Sequence, residues 1–294
     1  MRRLRSLDWV SILMVLPFVA VLVVLVAVPV SISVATSFTN MRFIGMPAEF
    51  VGLRQYQRVF QDELFWGSLG RSGLWILGNA VLQTLTAFVF ALALSRRART
   101  TGSQLLVLLP WIIPTVAVAV IGTWLMNSSY GILNFLLQRT GLVDAPINAF
   151  GNADIALWSL VILNSWHWFP FFFVVILGAL TTVPTELYEA ASIDGAGPWQ
   201  RFASVTLPLI SRILGIVGLV GTLWSFNVFD TIFLVTRGGP SNSTFTAPLY
   251  VYEVAFNGFQ MGKSSAASVL LMIIMLGFAA LFYNLVVRRA YHSR

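Results

Sequence analysis

The sequence contains long runs of residues that include no Asp, Glu, Lys or Arg. A helix needs roughly 20 apolar residues to cross the hydrocarbon core of a bilayer, and each of these runs is longer than that. They predict membrane-spanning helices rather than the buried helices of a soluble domain. Five such runs are Trp9–Met41, Ser72–Ser95, Thr100–Gln138, Ile155–Thr185 and Ser264–Val287.

A sixth run, from Ile213 to Thr236, is interrupted only by Asp230. We therefore predict an all-α, polytopic membrane protein with six transmembrane helices in a single domain across residues 1–294. Five prolines fall inside these runs, namely Pro17, Pro29, Pro110, Pro114 and Pro170. Each is expected to kink or break its helix unless neighbours satisfy the freed carbonyl. The predicted spans cover about residues 10–38, 68–95, 104–127, 154–180, 210–236 and 264–288.

The charge of the chain agrees with a membrane location. Charged residues make up only 10% of the sequence, whereas soluble domains carry about 25%. The net charge of +7 comes from arginines in short clusters beside apolar runs, which is a pattern of membrane orientation and not of nucleic-acid binding. The absence of cysteine excludes disulfides, thiolate catalysis and cysteine-ligated metals.

The arginines also predict the orientation of the spans. Eleven of the eighteen basic residues fall in the N-terminal segment, the connections after the second and fourth spans, and the C-terminal tail. Because basic residues are enriched on the cytoplasmic side, we expect both termini in the cytoplasm, as an even number of spans requires. These residues are Arg2, Arg3, Arg5, Arg96, Arg97, Arg99, Arg201, Arg212, Arg288, Arg289 and Arg294.

The predicted cytoplasmic connection between the fourth and fifth spans has the pattern of two short helices. From Pro184 to Asp194 the residues can form about three helical turns, which Gly195 can end in a left-handed conformation. The small residues Ala190 and Ala191 permit close approach by another protein surface. A helix that only rests on lipid headgroups fits the same pattern, and these observations leave both interpretations open.

This connection resembles the EAA signature of permease subunits of binding-protein-dependent ABC importers. The matching residues are Glu189-Ala190-Ala191, Gly195, and Leu207-Pro208, while Val205 stands where the family usually has isoleucine. A second segment, Thr236-Arg237-Gly238-Gly239-Pro240, is similar to the connection between the last two spans in the carbohydrate branch of that family, the relatives of the maltose and glycerol-phosphate importers.

The resemblance implies a type I ABC importer fold and a non-catalytic transport subunit with no cofactor or metal of its own. It implies a bacterial or archaeal cytoplasmic membrane, a second and distinct permease subunit, an extracytoplasmic solute-binding protein, and an ATPase dimer that binds ATP and Mg. The EAA segment would be a coupling helix that contacts the ATPase through Glu189, Ala190, Ala191, Asp194 and Gly195. The segment Arg237, Gly238, Gly239 and Pro240 would face the binding protein.

Polar and aromatic residues within two spans are candidates for the substrate pathway. On a continuous helix Trp224, Asn227 and Asp230 would share one face, with amide and carboxylate groups for sugar hydroxyls and an aromatic ring for the C–H surface. An interfacial Asp230, paired with Arg237 or solvated, is the alternative. Asn164 and His167 lie three residues apart on the fourth span, although a histidine beside two tryptophans also fits an aromatic belt.

Two other classes of function fit a polytopic chain. An intramembrane lipid- or glycan-modifying enzyme needs a clustered catalytic set, and Asp230 and His167 are far apart in the sequence. A stand-alone ion-coupled carrier would transport without an ATPase, but no inverted repeat is evident. A metal site at His167 is not expected, because His292 is the only other histidine. The segment Gly258–Ser264 has the wrong glycine spacing for a phosphate-binding loop, so ATP is expected on another subunit.

Overall fold

The computed structural model describes residues 9–43, 45–96 and 101–287. Nearly all of them are helical, and within these ranges the only β pairing is an isolated antiparallel bridge between Thr39 and Phe50. The first seven helices are α1 (Trp9–Ser37), α2 (Arg54–Phe60), α3 (Glu63–Arg96), α4 (Thr101–Ile112), α5 (Thr115–Leu125), α6 (Ile132–Arg139) and α7 (Ala156–Thr181). The others are α8 (Thr185–Ile193), α9 (Pro198–Arg201), α10 (Leu207–Phe226), α11 (Asp230–Val235), α12 (Ala247–Tyr252) and α13 (Met261–Phe282), and π-helical turns follow α9, α12 and α13.

The predicted fold class is confirmed. Five helical stretches in the described part of the chain are long and apolar enough to cross a membrane, and the bent pair α4 and α5 raises the number to six if it forms one span. The side on which the termini lie stays a prediction. Many of the arginines on which that prediction depends lie outside the described residues, namely Arg2, Arg3, Arg5, Arg97, Arg99, Arg288, Arg289 and Arg294, as does His292.

The third predicted span is not a straight helix, because α4 and α5 meet at an angle of 93°. The break falls at Ile113-Pro114, where the proline ring disfavours helical geometry at the preceding residue. The carbonyl of Ile113, which is freed by the break, accepts a hydrogen bond of 3.1 Å from Nε2 of His167 in α7. By contrast α7 continues through Pro170, and α1 continues through Pro17 and Pro29.

The chain forms two compact units, of which the first comprises the residues up to Glu63 and Val251–Ile273. In this unit the loop after α1 forms a hairpin-like turn. Asn40 N donates to Glu49 O, and Val51 N donates to Phe38 O. Gln55 Nε2 donates to the carbonyl of Thr39, and Gly262 N donates to that of Met41. These bonds hold the start of α13 beside the end of α1.

The second unit comprises Leu64–Tyr250 and the residues from Ile274 onward. Its core lies along α7, whose buried Phe169, Phe172, Phe173 and Ile176 pack with Ala87 and Ala91 of α3 and Val217 of α10. Small residues bring the helices close, as lipid-embedded packing requires. A Cβ added to Gly221 would lie 2.5 Å from Cζ of Phe172, so a larger residue there would force Phe172 to shift.

Candidate functional site

A cavity of about 520 Å³ opens in the second unit between α3, α7 and the end of α10. The aromatic side chains on its wall include Trp111, Trp168 and Trp224. The Trp224 ring centroid lies 6.2 Å from that of Trp168. The polar side chains on the wall include Gln83, Asn164, Asn227 and Asp230. A site that combines amide, carboxylate and aromatic groups can bind a small molecule that carries both hydroxyl groups and apolar C–H surface.

The cavity is located at a break in the fifth span. The sequence predicts a continuous helix over 210–236, but α10 ends at Phe226 and α11 begins at Asp230. Side chains take over the freed carbonyls: Asn227 Nδ2 donates to Leu223 O over 2.8 Å, and Trp75 Nε1 of α3 donates to Ser225 O over 2.9 Å. Polar groups at membrane depth are tolerated when they are satisfied in this way, so the helix can end inside the span.

The structure brings four of the five predicted pathway residues to this cavity. Trp224, Asn227 and Asp230 all line it, although the break means that they do not share one face of a continuous helix. Asn164 of α7 also lines it. His167 does not line the cavity and is only 2% exposed, and its ring bonds the Ile113 carbonyl instead.

A buried hydrogen-bond network supports the wall formed by α3 and α7. Oδ1 of Asn79 accepts from Asn164 Nδ2 at 2.7 Å, from Gln83 Nε2 at 3.1 Å and from Ser165 Oγ at 3.2 Å. Sequence analysis missed Asn79 and Gln83, although two amides four residues apart in an apolar run are a detectable signal. Asn79 does not line the cavity, but it fixes the amide of Asn164, which does.

The segment after α7 has the predicted two-helix form. Helix α8 is followed by Gly195 with φ of +78°, and Ala196 N donates to Ala191 O. Glu189, Ala190 and Asp194 are exposed, and Ala191 is half-buried.

Two large apolar side chains on the same segment are also exposed. Ile193 is 87% exposed and Trp199 is 76% exposed. Arg201 Nη1 donates to Ser192 Oγ at 2.8 Å and links α9 to α8. Exposed apolar residues within an ordered segment are typical of a protein interaction surface, and sequence analysis did not single out Ile193.

The segment Arg237–Pro240 follows α11 as a tight, ordered turn. Arg237 has φ of +50° and Gly238 has φ of +87°, and the Gly239-Pro240 peptide bond is cis. A Cβ on Gly238 would lie 2.5 Å from Cδ2 of Phe245. Thr244 Oγ1 donates to Gly239 O over 2.9 Å, so the turn is held against the residues that lead into α12.

Comparisons with known proteins agree with one another. The family model described as "Binding-protein-dependent transport system inner membrane component" matches residues 83–292. The chain is 34% identical over 275 residues to the trehalose/maltose transport system permease protein MalF of Thermococcus litoralis, covering 92% of this chain and 91% of that protein. It is 30% identical to the diacetylchitobiose uptake system permease protein DasB of Streptomyces coelicolor, covering 94% of this chain and 86% of that protein.

Solved structures share the fold. A chain in the crystal structure of a bacterial ABC transporter that imports the acidic polysaccharide alginate superposes with a TM-score of 0.79 at 23% identity, and covers 98% of this chain and 97% of that one. A chain from the alginate transporter in complex with a pentasaccharide-bound periplasmic protein gives a TM-score of 0.80 at 22% identity, with 96% of each chain covered.

Proposed function

The chain belongs to the family of binding-protein-dependent transport system inner membrane components, and from this membership we propose that it is the permease subunit of an ABC importer for a sugar or sugar derivative. Its substrate is expected to arrive on an extracytoplasmic binding protein. The names of its relatives, which refer to trehalose, maltose and diacetylchitobiose, support a carbohydrate.

The observation that carries this proposal is the cavity at the broken fifth span. Its amides and the Asp230 carboxylate can exchange hydrogen bonds with hydroxyl groups, and Trp224 and Trp168 can cover the C–H face of a pyranose ring. The break makes this mixture possible at membrane depth, because it brings Asn227 and Asp230 to the wall without a strained helix. We assign Trp224, Asn227 and Asp230, together with Asn164, to the substrate pathway. His167 would act on the pathway only through the bend at Ile113.

The exposed segment from Glu189 to Gly195 fits the role of coupling helix. Glu189, Ala190, Asp194 and Gly195 are accessible to a partner, and Ile193 and Trp199 extend the accessible surface with apolar area. We propose that this surface docks on an ATPase dimer, which binds ATP and Mg, and that a second permease subunit completes the channel. The chain itself would catalyse no reaction. This arrangement requires both termini on the cytoplasmic side of a bacterial or archaeal cytoplasmic membrane.

The ordered turn Arg237–Pro240 would then face the binding protein. Its two left-handed residues and the bond from Thr244 keep the turn in one conformation, and preorganisation lowers the entropic cost of docking.

Reconstitution tests the proposal. Proteoliposomes that contain this chain with its partner permease and ATPase should take up a labelled sugar only when ATP is inside and the binding protein is outside. Trp224→Ala should weaken the apparent substrate affinity of uptake about twofold to tenfold, because an aromatic contact contributes roughly 0.5–1.5 kcal/mol. Trp124→Ala is the matched control, since Trp124 is exposed on α5 and does not line the cavity.

The two other classes of function make different predictions for the same material. Uptake by the isolated chain under a proton or sodium gradient would establish an ion-coupled carrier and refute the proposal. Chemical conversion of a lipid or glycan by the purified chain would establish an enzyme. The structure favours neither, because His167 is turned away from the cavity that contains Asp230.

A further inference from the structure

A second cavity lies entirely within the first unit and has no place in the sugar pathway. It has a volume of about 470 Å³ and lies between the loop after α1, helix α2 and the start of α13. Four cationic side chains line it, Arg42, Arg54, Arg58 and Lys263, against the single carboxylate of Glu49. Even with Lys263 paired to Asp62 at 2.6 Å, the lining keeps an excess of positive charge.

The three arginines are available to a ligand. Arg42, Arg54 and Arg58 are exposed. Lys263 forms a salt bridge with Asp62. Within the described part of the chain the three guanidinium groups form no salt bridge and donate no hydrogen bond. A guanidinium presents several N–H donors in a planar fork, which matches the oxygens of a phosphate. The cavity therefore has the charge and the donors of an anion site.

The position of the cavity places that anion at the level of lipid headgroups. Asn40 and Met41 of the lining follow the end of α1 at Ser37 by a few residues, and Lys263 lies in the first turn of α13. Both helices are long and apolar enough to cross a membrane. Gly262 N bonds Met41 O, so the two helix ends that bound the cavity are at one height.

Apolar side chains around the mouth favour a lipid over a water-soluble anion. Phe259 lines the cavity and is 55% exposed, and its ring centroid lies 6.0 Å from that of the exposed Phe43. Phe259 has φ of +49°, a conformation that an aromatic residue rarely adopts. Strain of this kind is concentrated at binding sites. Along α1 the apolar side chains of Leu22 and Val26 are exposed and can contact acyl chains.

From these observations we infer that the cavity of the first unit binds the phosphate of an anionic phospholipid headgroup, with Arg42, Arg54 and Arg58 as its donors and Phe43 and Phe259 at the glycerol level. The aromatic rim and the height at the helix ends distinguish this site from a docking surface for an acidic protein. The inference concerns the lipid surroundings of the chain and does not depend on which solute is transported.

Lipid titration of the purified full chain, followed by native mass spectrometry, tests the inference. The probes are palmitoyl-oleoyl phosphatidylglycerol, the corresponding phosphatidylcholine, and inorganic phosphate. Phosphatidylglycerol should be retained preferentially, and the double variant R54Q/R58Q should weaken its binding roughly thirtyfold, since each arginine contributes on the order of a fivefold effect. The variant R139Q is the matched control, because Arg139 is exposed elsewhere and does not line this cavity.

A conservative variant separates loss of the site from loss of the fold. R54K/R58K keeps the charge and should retain most of the phosphatidylglycerol binding that R54Q/R58Q loses. Equal loss in the lysine and glutamine variants would overturn the inference, and so would equal retention of the two lipids by the unaltered chain. Saturation by inorganic phosphate at the same concentration as lipid would identify a free-anion site and overturn the lipid assignment. If R54Q/R58Q weakens docking of the binding protein and leaves lipid retention unchanged, the cavity is a protein docking surface and the lipid assignment is overturned.

Discussion

Substitution of the buried Asn79 by leucine should destabilise the second unit. The side chain is fully buried, and its Oδ1 accepts three hydrogen bonds, from Asn164, Gln83 and Ser165. Leucine has a similar volume but no acceptor, so all three donors lose this partner. Two of these bonds, from Asn164 and Ser165 of α7, are interhelical, and interhelical hydrogen bonds in membrane proteins average about 0.6 kcal/mol, so their loss alone predicts a destabilisation of about 1.2 kcal/mol.

The loss can be measured as the change in the free energy of unfolding of the purified chain in mixed micelles with increasing SDS, followed by tryptophan fluorescence. Thr86→Val is the control, because the Thr86 hydroxyl donates only to Leu82 O within its own helix. A double-mutant cycle of Asn79→Leu with Asn164→Ala should give a coupling energy of about 0.6 kcal/mol for their 2.7 Å bond. If Asn79→Leu is no more destabilising than Thr86→Val, the network does not join α3 to α7 in the way described.

Two further predictions concern glycines. Gly195→Leu should lower ATP-dependent uptake while ATP hydrolysis by the partner subunits continues, because a side chain at φ of +78° costs roughly 1–2 kcal/mol and would change the direction of the chain after α8. The control is Gly141→Leu, which imposes a comparable strain at φ of +70° in another loop. Similar uptake by the two variants would contradict a special role for Gly195. Gly262→Val should reduce the yield of folded protein in size-exclusion chromatography, since its Cβ would collide with the backbone carbonyl of Thr39. A normal elution profile and an unchanged thermal midpoint would show that α13 does not begin against the loop after α1.

The number and type of membrane helices could be predicted because lipid imposes one simple requirement on the chain. A run such as Ile155–Thr185 has few alternatives to a spanning helix, and α7 occupies most of it. The bend before Pro114 could also be expected, since proline disfavours a helical residue in front of it. Pro170 shows the limit of that rule, because α7 continues through it.

The break in the fifth span could not be predicted from local sequence. One of the hydrogen bonds at the break comes from Trp75, which is 150 residues away in the chain and donates to Ser225 O. Helical periodicity predicts Trp224, Asn227 and Asp230 on one face of a continuous helix, and that prediction is wrong because the helix ends at Phe226. The three residues nevertheless line the same cavity, because the chain between α10 and α11 carries Asn227 to its wall. The roles of these residues stay predictions. The spacing of Asn79 and Gln83 is visible in the sequence, but the bonds from Asn164 and Ser165 to Asn79 exist only when α3 lies against α7.

The bond from Trp75 to the Ser225 carbonyl has a consequence for engineering. Chimaeric permeases, in which one importer receives the cavity-forming segment of another to change its cargo, would naturally exchange residues 207–235. The indole that bonds the last turn of α10 belongs to α3 and would be left behind in such an exchange. A graft of this kind should therefore carry both helices, or at least keep a tryptophan at position 75 of the recipient.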